Sequence, residues 1–467
     1  MKQTREAHRQ ADSWTVTEAP GRLPLIGHTI PLRRMPLEFL TALPYLGDLV
    51  KVSLGRTPAY MACHPDLIGQ ILADPRTFDR GGPFYEKTKL LMGNSLGNCP
   101  FKDHRRQRLL VQPSFRRGRL ATYTEVMRRE LEAEMDRWRP GGVIDVNDVF
   151  HALTARIGAR VLLSTEIGVP AVEGILRHLP VVMEGMYERM ISPLGLLHRV
   201  PTPGNRRFDE ALRQLRSIVD DIIATYRAAG ADHGDLLSGL LLARDEATGD
   251  RLSDTEIHDQ VMNFLMASTE TTATALTWAF HLLGENPGCE ARLQELADSI
   301  SAEEQGGADG AEGTGTDQPS GHKDGPDYAR RVITEVLRLY PPGWLVTRVV
   351  AEETELGGVR MPVGTVIIYS TYALQRSRRL FPDAERFDPD RWLPERAKDV
   401  PRGAMIPFGT GSRKCIGDEF AMNETTLAMT MVASRWRLRP VAGTVVRPEP
   451  RALVGVGPLP MVTEPRA

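Results

Sequence analysis

Cysteine is scarce in this sequence, and the little there is follows no pattern. Cys63, Cys99, Cys289 and Cys415 are the four among 467 residues, and no Cys-x-x-Cys pair or Cys/His cluster joins them. That spacing excludes a disulfide framework and a zinc ribbon, and it points to a reducing cytoplasm. An excess of one charge is also missing. The net value of −2 gives no overall field for nucleic acid or an anionic membrane. The segment Met1 to Val16 has no apolar core, so neither a signal peptide nor a membrane anchor is expected. Lysine accounts for 8 of the 58 basic residues, a bias that reflects a GC-rich genome more than chemistry. No internal repeat is present, which excludes a solenoid or propeller.

What is there reads as an ordinary globular chain, 41% hydrophobic and 25% charged. Pro20 to Gly27 forms an extended, proline-stiffened lead-in. Val50–Leu54 and Ala59–Ala62 flank Gly55-Arg56-Thr57-Pro58 as the two arms of a hairpin. Helical patterns then dominate from residue 103 to residue 300. The longest, Asp254 to Gly284, is opened by the capping-box pattern Ser253-Asp254-Thr255-Glu256. Residues 301–327 hold almost no apolar side chain and are expected to be a disordered surface insertion. Candidate motifs of one site lie on both sides of it, so residues 20–467 are read as a single domain.

The most specific motif is Phe408-Gly409-Thr410-Gly411-Ser412-Arg413-Lys414-Cys415-Ile416-Gly417. Its glycines let the backbone pass close to a flat cofactor and turn N–H groups toward the sulfur. Arg413 adds positive charge, and the helix-compatible run that follows aims an N-terminus at Cys415; both favour a thiolate. Gly417 and Ala421, four apart, make one small helix face on which a macrocycle can lie. The plain alternative is a buried free cysteine on a glycine-rich turn.

This decapeptide resembles the cysteine-loop signature Phe-x-x-Gly-x-Arg-x-Cys-x-Gly of the cytochrome P450 family, with Cys415 at the position of the haem-iron ligand. The resemblance runs from about residue 20 to residue 460. It implies a mainly α fold, the helical triangular prism with small β-sheets, and a thiolate-ligated haem b. Other motifs agree. Glu335 and Arg338 sit three apart on one predicted helix face, and Phe387-Asp388-Pro389-Asp390-Arg391-Trp392 is similar to the family block whose arginine joins that pair. Glu335, Arg338 and Arg391 are therefore implied to be structural. His104 and Arg108, at i and i+4, resemble the family's His-x-x-x-Arg pair; with Arg348 and Arg413 they are implied to bind the haem propionates. A solvated basic stripe is the alternative for the first two.

Ala267-Ser268-Thr269-Glu270-Thr271-Thr272 resembles the oxygen-activation motif, which implies that Glu270 and Thr271 deliver protons during turnover with O2. Ser268 stands where the family usually has glycine, and its hydroxyl can bond a carbonyl one turn back. Phe84, Tyr85, Leu91, Met92, Met186, Tyr187, Met190, Phe264, Ala267, Trp344, Leu345 and Val346 are the candidate substrate contacts, a mostly apolar set suited to a small hydrophobic ligand. Gly185-Met186-Tyr187, Met190, Pro193-Leu194-Gly195, Arg199-Val200-Pro201, Asn205 to Phe208, Glu355 to Gly358 and Arg391 to Arg396 are similar to stretches of bacterial sesquiterpene oxidases, which implies terpene hydroxylation in secondary metabolism. Oxidation of a fatty acid or macrolactone, and haem-thiolate peroxygenase or isomerase chemistry, are the alternatives. No flavin domain follows, so the expected electron donor is a ferredoxin with its reductase, docking on a monomer through Arg105, Arg106, Arg116, Arg117, Arg119, Arg402, Arg413 and Lys414.

Overall fold

A computed structural model describes residues 14–163, 169–191, 200–308 and 327–466. The side chains of Phe84, Tyr187 and Met190, and residues 193–195 and 199, lie outside the described set. The principal helices are α1 (Pro83–Met92), α2 (Phe101–Val111), α3 (Arg117–Met135), α4 (Val146–Leu162), α5 (Val169–Ile191), α6 (Pro203–Ala229), α7 (Asp254–Glu285), α8 (Pro287–Ala308), α9 (Asp327–Leu339) and α10 (Asp418–Arg435).

Helix α7 is the axis of the molecule. It begins as the sequence predicts: Ser253 Oγ accepts from the Glu256 N–H at 3.2 Å, and Glu256 Oε2 accepts from the Ser253 N–H at 2.9 Å. Its second half, from Thr272 to Leu283, is buried almost without interruption, the pattern of a helix enclosed on all sides. It packs against α1, α4, α6, α8, α9 and α10. Trp278, near its end, donates its indole N–H to the Val454 carbonyl at 3.0 Å and stacks on Tyr340.

One six-stranded sheet lies beside the bundle. Its strands are β1 (Val16–Glu18), β2 (Leu49–Leu54), β3 (Thr57–Ala62), β4 (Phe78–Asp79), β5 (Val346–Val350) and β6 (Val366–Tyr369), in the order β1-β2-β3-β6-β5-β4. The expected hairpin forms with a tighter turn than its glycine–proline segment suggested. Leu54 pairs with Thr57, so only Gly55, at φ +63°, and Arg56 turn the chain. Pro58 falls inside β3; the β3–β6 register begins at Ala59, so its missing N–H is not needed there. Three smaller sheets complete the β structure among the described residues.

The stretch expected to be an insertion divides. Helix α8 continues to Ala308, Asp327 opens α9, and residues 309–326 lie outside the described set. Among the described residues no helix is long and apolar enough to cross a membrane.

Candidate active site

A cavity of about 410 Å³ lies where α7, the 408–417 loop and the start of α10 converge. The loop is built by short-range geometry. The Cys415 N–H donates to the Phe408 carbonyl at 2.9 Å, and a 3₁₀ turn over Gly411–Arg413 reverses the chain between them. Gly411 sits at φ +70°, and a Cβ on it would stand 2.8 Å from the Leu72 carbonyl oxygen, so both conformation and space call for glycine.

Cys415 opens onto this cavity. Burial, joined by the charge of Asp418, pushes its thiol up on balance; a hydrogen bond from the Gly417 N–H and the charges of Arg108 and Arg80 act the other way. Helix α10 starts three residues on, at Asp418, and Gly417 and Ala421 both face the cavity. The small face and the N–H directed at sulfur are therefore both present.

One end of the cavity collects guanidinium groups. Arg80, Arg108, Arg348 and Arg413 all line it, together with His104. Arg413 is paired with Asp79 at 2.7 Å and donates to the Cys99 carbonyl at 2.9 Å. Burial, then the charge of Arg80, pushes its pKa down to about 10 against the pull of Asp79. Arg348, 5% exposed, donates to the Thr347 carbonyl at 2.8 Å and to the Tyr85 hydroxyl at 3.3 Å. Arg108 donates to the Lys414 carbonyl at 2.7 Å. Burial and the charges of Arg413, Arg80 and Arg108 push the pKa of His104 down to about 3.

Buried cations are stable only when paired. Here Asp79 is the carboxylate on Arg413, and the Nε atoms of Arg80 and Arg413 have no hydrogen-bond partner in the protein. The chemistry of this donor set fits a group that brings its own carboxylates. A flat, apolar, dianionic macrocycle with a metal centre for Cys415 meets each requirement.

The Glu335 cluster stands behind the loop. Both Glu335 oxygens accept from Arg338 at 2.8 Å. Glu335 also accepts from Arg391 at 3.3 Å, from the Trp392 indole at 2.9 Å and from the Asp388 N–H at 3.1 Å. Arg338 spends its remaining donors on the carbonyls of Gln375, Ala384 and Arg386. Glu335 and Arg338 are fully buried and lie off the cavity wall, as structural residues would.

The family model for cytochrome P450 matches residues 18–463. The chain belongs to the cytochrome P450 family. Cyclooctat-9-en-7-ol 5-monooxygenase of Streptomyces melanosporofaciens is 51% identical over 453 residues, 97% of this chain and 96% of that protein. Cyclooctatin synthase of the same organism is 50% identical over 97% of this chain and 96% of its own length. Pentalenene oxygenase of Streptomyces avermitilis is 44% identical, covering 93% and 94%. The crystal structure of the cytochrome P450DA haem domain superposes with a TM-score of 0.82 at 22% identity over 97% of this chain and 98% of that one, a likeness of fold. The mainly helical P450 fold is thus the fold of this protein, and the protein is a monooxygenase. Membership implies a haem-thiolate cofactor, O2 and an electron-transfer partner.

Within this P450 the oxygen-motif residues separate. Thr271 lines the cavity, and its hydroxyl donates to the Ala267 carbonyl at 2.6 Å. Glu270 does not line it. Its carboxylate lies 3.5 Å from His151 Nε2 on α4, with both side chains about one-third exposed. Ser268 donates to the Phe264 carbonyl at 2.8 Å, the back-bond its sequence position suggested. It is accommodated because α4 presents Gly158 opposite it, where a Cβ would lie 2.4 Å from Ser268 Oγ.

Of the candidate substrate contacts with described side chains, Phe264, Ala267 and Val346 face the cavity, beside Phe115, Val161 and Leu236, which the sequence did not single out. Tyr85 also faces it, but among the guanidinium groups: burial acts to raise its phenol, and the charges of Arg348 and Arg80 outweigh that and lower it. Leu91, Met92 and Met186 belong to the main hydrophobic core. Trp344 is buried in a second core and donates to the Arg451 carbonyl at 3.0 Å. Leu345 packs on that same core; in an extended chain it faces away from Val346, its cavity-lining neighbour. Arg80 had no motif to announce it, and neither did His151, more than a hundred residues before Glu270.

Proposed function

We propose that this P450 inserts one oxygen atom from O2 into a C–H bond of a terpene in secondary metabolism. Haem b would be held through Cys415, with His104, Arg80, Arg108, Arg348 and Arg413 taking its carboxylates and Gly417 and Ala421 lining its site, and when bound it would supply the activation of O2. The chain's own residues bind the substrate against Phe115, Val161, Leu236, Phe264, Ala267 and Val346, and Thr271 holds a hydroxyl at the cavity wall while Glu270 connects it to solvent.

The observation that carries the substrate reading is the combination of this apolar wall with relatives at 44–51% identity whose names specify oxidation of pentalenene and of cyclooctat-9-en-7-ol. A panel of sesquiterpenes, hydroxylated polycyclic terpenes, fatty acids and macrolactones, added to haem-loaded protein, is expected to give a high-spin shift with terpenes first. Products are then identified with a ferredoxin system. A shift confined to fatty acids or macrolactones would replace the terpene reading, and turnover with peroxide but not with reduced ferredoxin would replace the monooxygenase cycle proposed here.

Ferredoxin is proposed to dock over α2 and the loop before α3. Four of the eight basic residues expected there are engaged elsewhere: Arg106 with Glu256, Arg119 with Asp232, Arg413 with Asp79, and Lys414 with Asp418. Arg105, Arg116, Arg117 and Arg402 are exposed, as is Leu109, and they make the narrower candidate surface.

A further inference from the structure

One face of α4 holds the segment of α7 that carries the proposed relay. Gly158 faces Ser268, the Thr154 hydroxyl donates to the Thr269 carbonyl at 2.9 Å, and His151 Nε2 lies 3.5 Å from Glu270 Oε2. Spacings of three and four residues put all three on one helix face.

The imidazole of His151 is fixed from its other side. Nδ1 lies 2.8 Å from the Asn147 carbonyl oxygen. A carbonyl only accepts, so Nδ1 carries a hydrogen and Nε2 is the nitrogen that gains and loses the titrating proton. The charged groups acting on this ring are Glu270, from the facing helix, and Asp148, on its own helix. His151 and Glu270 are 29% and 32% exposed, so the pair touches solvent on one side, while the next residue, Thr271, lines the cavity. The pair therefore lies on the solvent side of α7, one residue along the helix from the cavity wall.

We propose that His151 is a positioning residue for proton delivery, holding Glu270 in place and reloading it from solvent. This rests on the roles given to Glu270 and Thr271 above. In the step, the proton leaves imidazolium Nε2 for a Glu270 carboxylate oxygen, giving a neutral imidazole with its hydrogen on Nδ1 and an uncharged carboxylic acid. No longer held by charge, the acid turns to the Thr271 side and passes its proton to a water beside the Thr271 hydroxyl, which releases one of its own protons into the cavity. The carboxylate returns, and Nε2 takes a new proton from water. No electron moves within the pair.

The direction of pH dependence follows. Burial disfavours the charged imidazole, but the hydrogen bond and charge of Glu270 outweigh it and raise the pKa of His151 above its usual 6.5. The loaded state is populated below that raised value and fades as pH rises through it.

The test uses the haem-loaded enzyme and its His151→Asn, His151→Phe and Glu270→Gln variants. Product formed per NAD(P)H consumed is measured from neutral to alkaline pH in H2O and D2O. Wild type is expected to lose coupling on the alkaline side. His151→Asn is expected to lower coupling about tenfold at neutral pH, to abolish the alkaline limb and to enlarge the solvent isotope effect, with the substrate-induced spin shift unchanged. An alkaline limb and isotope effect equal to wild type in both His151 variants would overturn the proposal. Ring-resonance NMR of His151 gives a second reading: its pKa falls in Glu270→Gln if the pair is coupled, and an unmoved value would refute the coupling. Failure of the monooxygenase reading looks different, because wild type itself would then yield no oxygenated terpene at any pH, while the NMR titration still decides the pair.

Discussion

Replacing Gly158 with Ala places a methyl carbon 2.4 Å from Ser268 Oγ but 3.4 Å from Ser268 Cβ. The hydroxyl is thus the obstacle, and the rest of the side chain fits. Relief requires either that Ser268 abandon its 2.8 Å bond to the Phe264 carbonyl, at about 1 kcal/mol, or that α4 and α7 part, with an overpacking cost of about 1–3 kcal/mol. A net loss of up to about 2 kcal/mol is expected, after crediting the helix preference of Ala over Gly, about 1 kcal/mol at most. Ser268→Ala alone should cost under about 1 kcal/mol, since it removes one local bond and gains helix propensity. In the double variant the new methyl meets only Cβ at ordinary contact distance, so stability returns to wild type or exceeds it, with a coupling energy of about 2 kcal/mol. The assay is chemical denaturation of the four haem-loaded proteins of the cycle, with peroxide released per NAD(P)H as a readout of the cavity wall. Additive effects, with Gly158→Ala equally costly when residue 268 is alanine, would refute the argument that these two helices are fitted to each other at this point.

Other expectations follow from single observations. Glu335→Gln leaves Arg338, fully buried, without its counter-charge; a loss of about 3–5 kcal/mol is expected in denaturant unfolding, and a loss under about 1 kcal/mol would mean that the cluster is not load-sharing. Glu424 is buried on α10, and burial pushes its carboxyl up to about 8, with the Thr272 hydroxyl opposing. Because this folded value lies above the usual 4.5, the stability tied to its neutral form is present at low pH and lost as pH rises toward 8. Glu424→Gln should therefore gain on wild type between about pH 5 and about pH 8 in denaturation midpoints, and parallel pH curves would contradict it. Thr271→Ala should keep substrate affinity but divert electrons to peroxide, because the cavity wall loses its hydroxyl; unchanged coupling would move the relay to another group. Arg116→Glu with Arg117→Glu should slow reduction by ferredoxin and weaken its salt dependence, without altering the substrate spin shift, and indifference to both would relocate the docking surface.

Much of this site was legible because its chemistry is spaced along the chain as it is spaced in three dimensions. The capping box of α7, Glu335 with Arg338, His104 with Arg108, and the loop from Phe408 to Gly417 are each set by fewer than a dozen residues, over which backbone geometry alone fixes the relative positions. Their residue types and order were sufficient to indicate the family. Small changes in local detail were less legible: the hairpin closed on two residues, because register with β6 left Pro58 free to enter the strand.

The tertiary structure decided whatever depended on which faces of distant elements meet. Apolar residues look alike in sequence whether they end in a core or on a cavity wall, so Met92, Met186, Trp344 and Leu345 could not be told from Phe264, Ala267 and Val346 until packing had sorted them. Tyr85 and Arg80 acquire their meaning from Arg348 and Arg413, several hundred residues away. Gly158 explains the serine at position 268, and His151 gives Glu270 its orientation, only because α4 lies against α7. The sequence by itself determined the chemistry available, since residue type and local spacing are covalent facts. Charge balance and cavity shape depend on through-space distances between segments that no local pattern encodes, and these were settled by the packing of the helices.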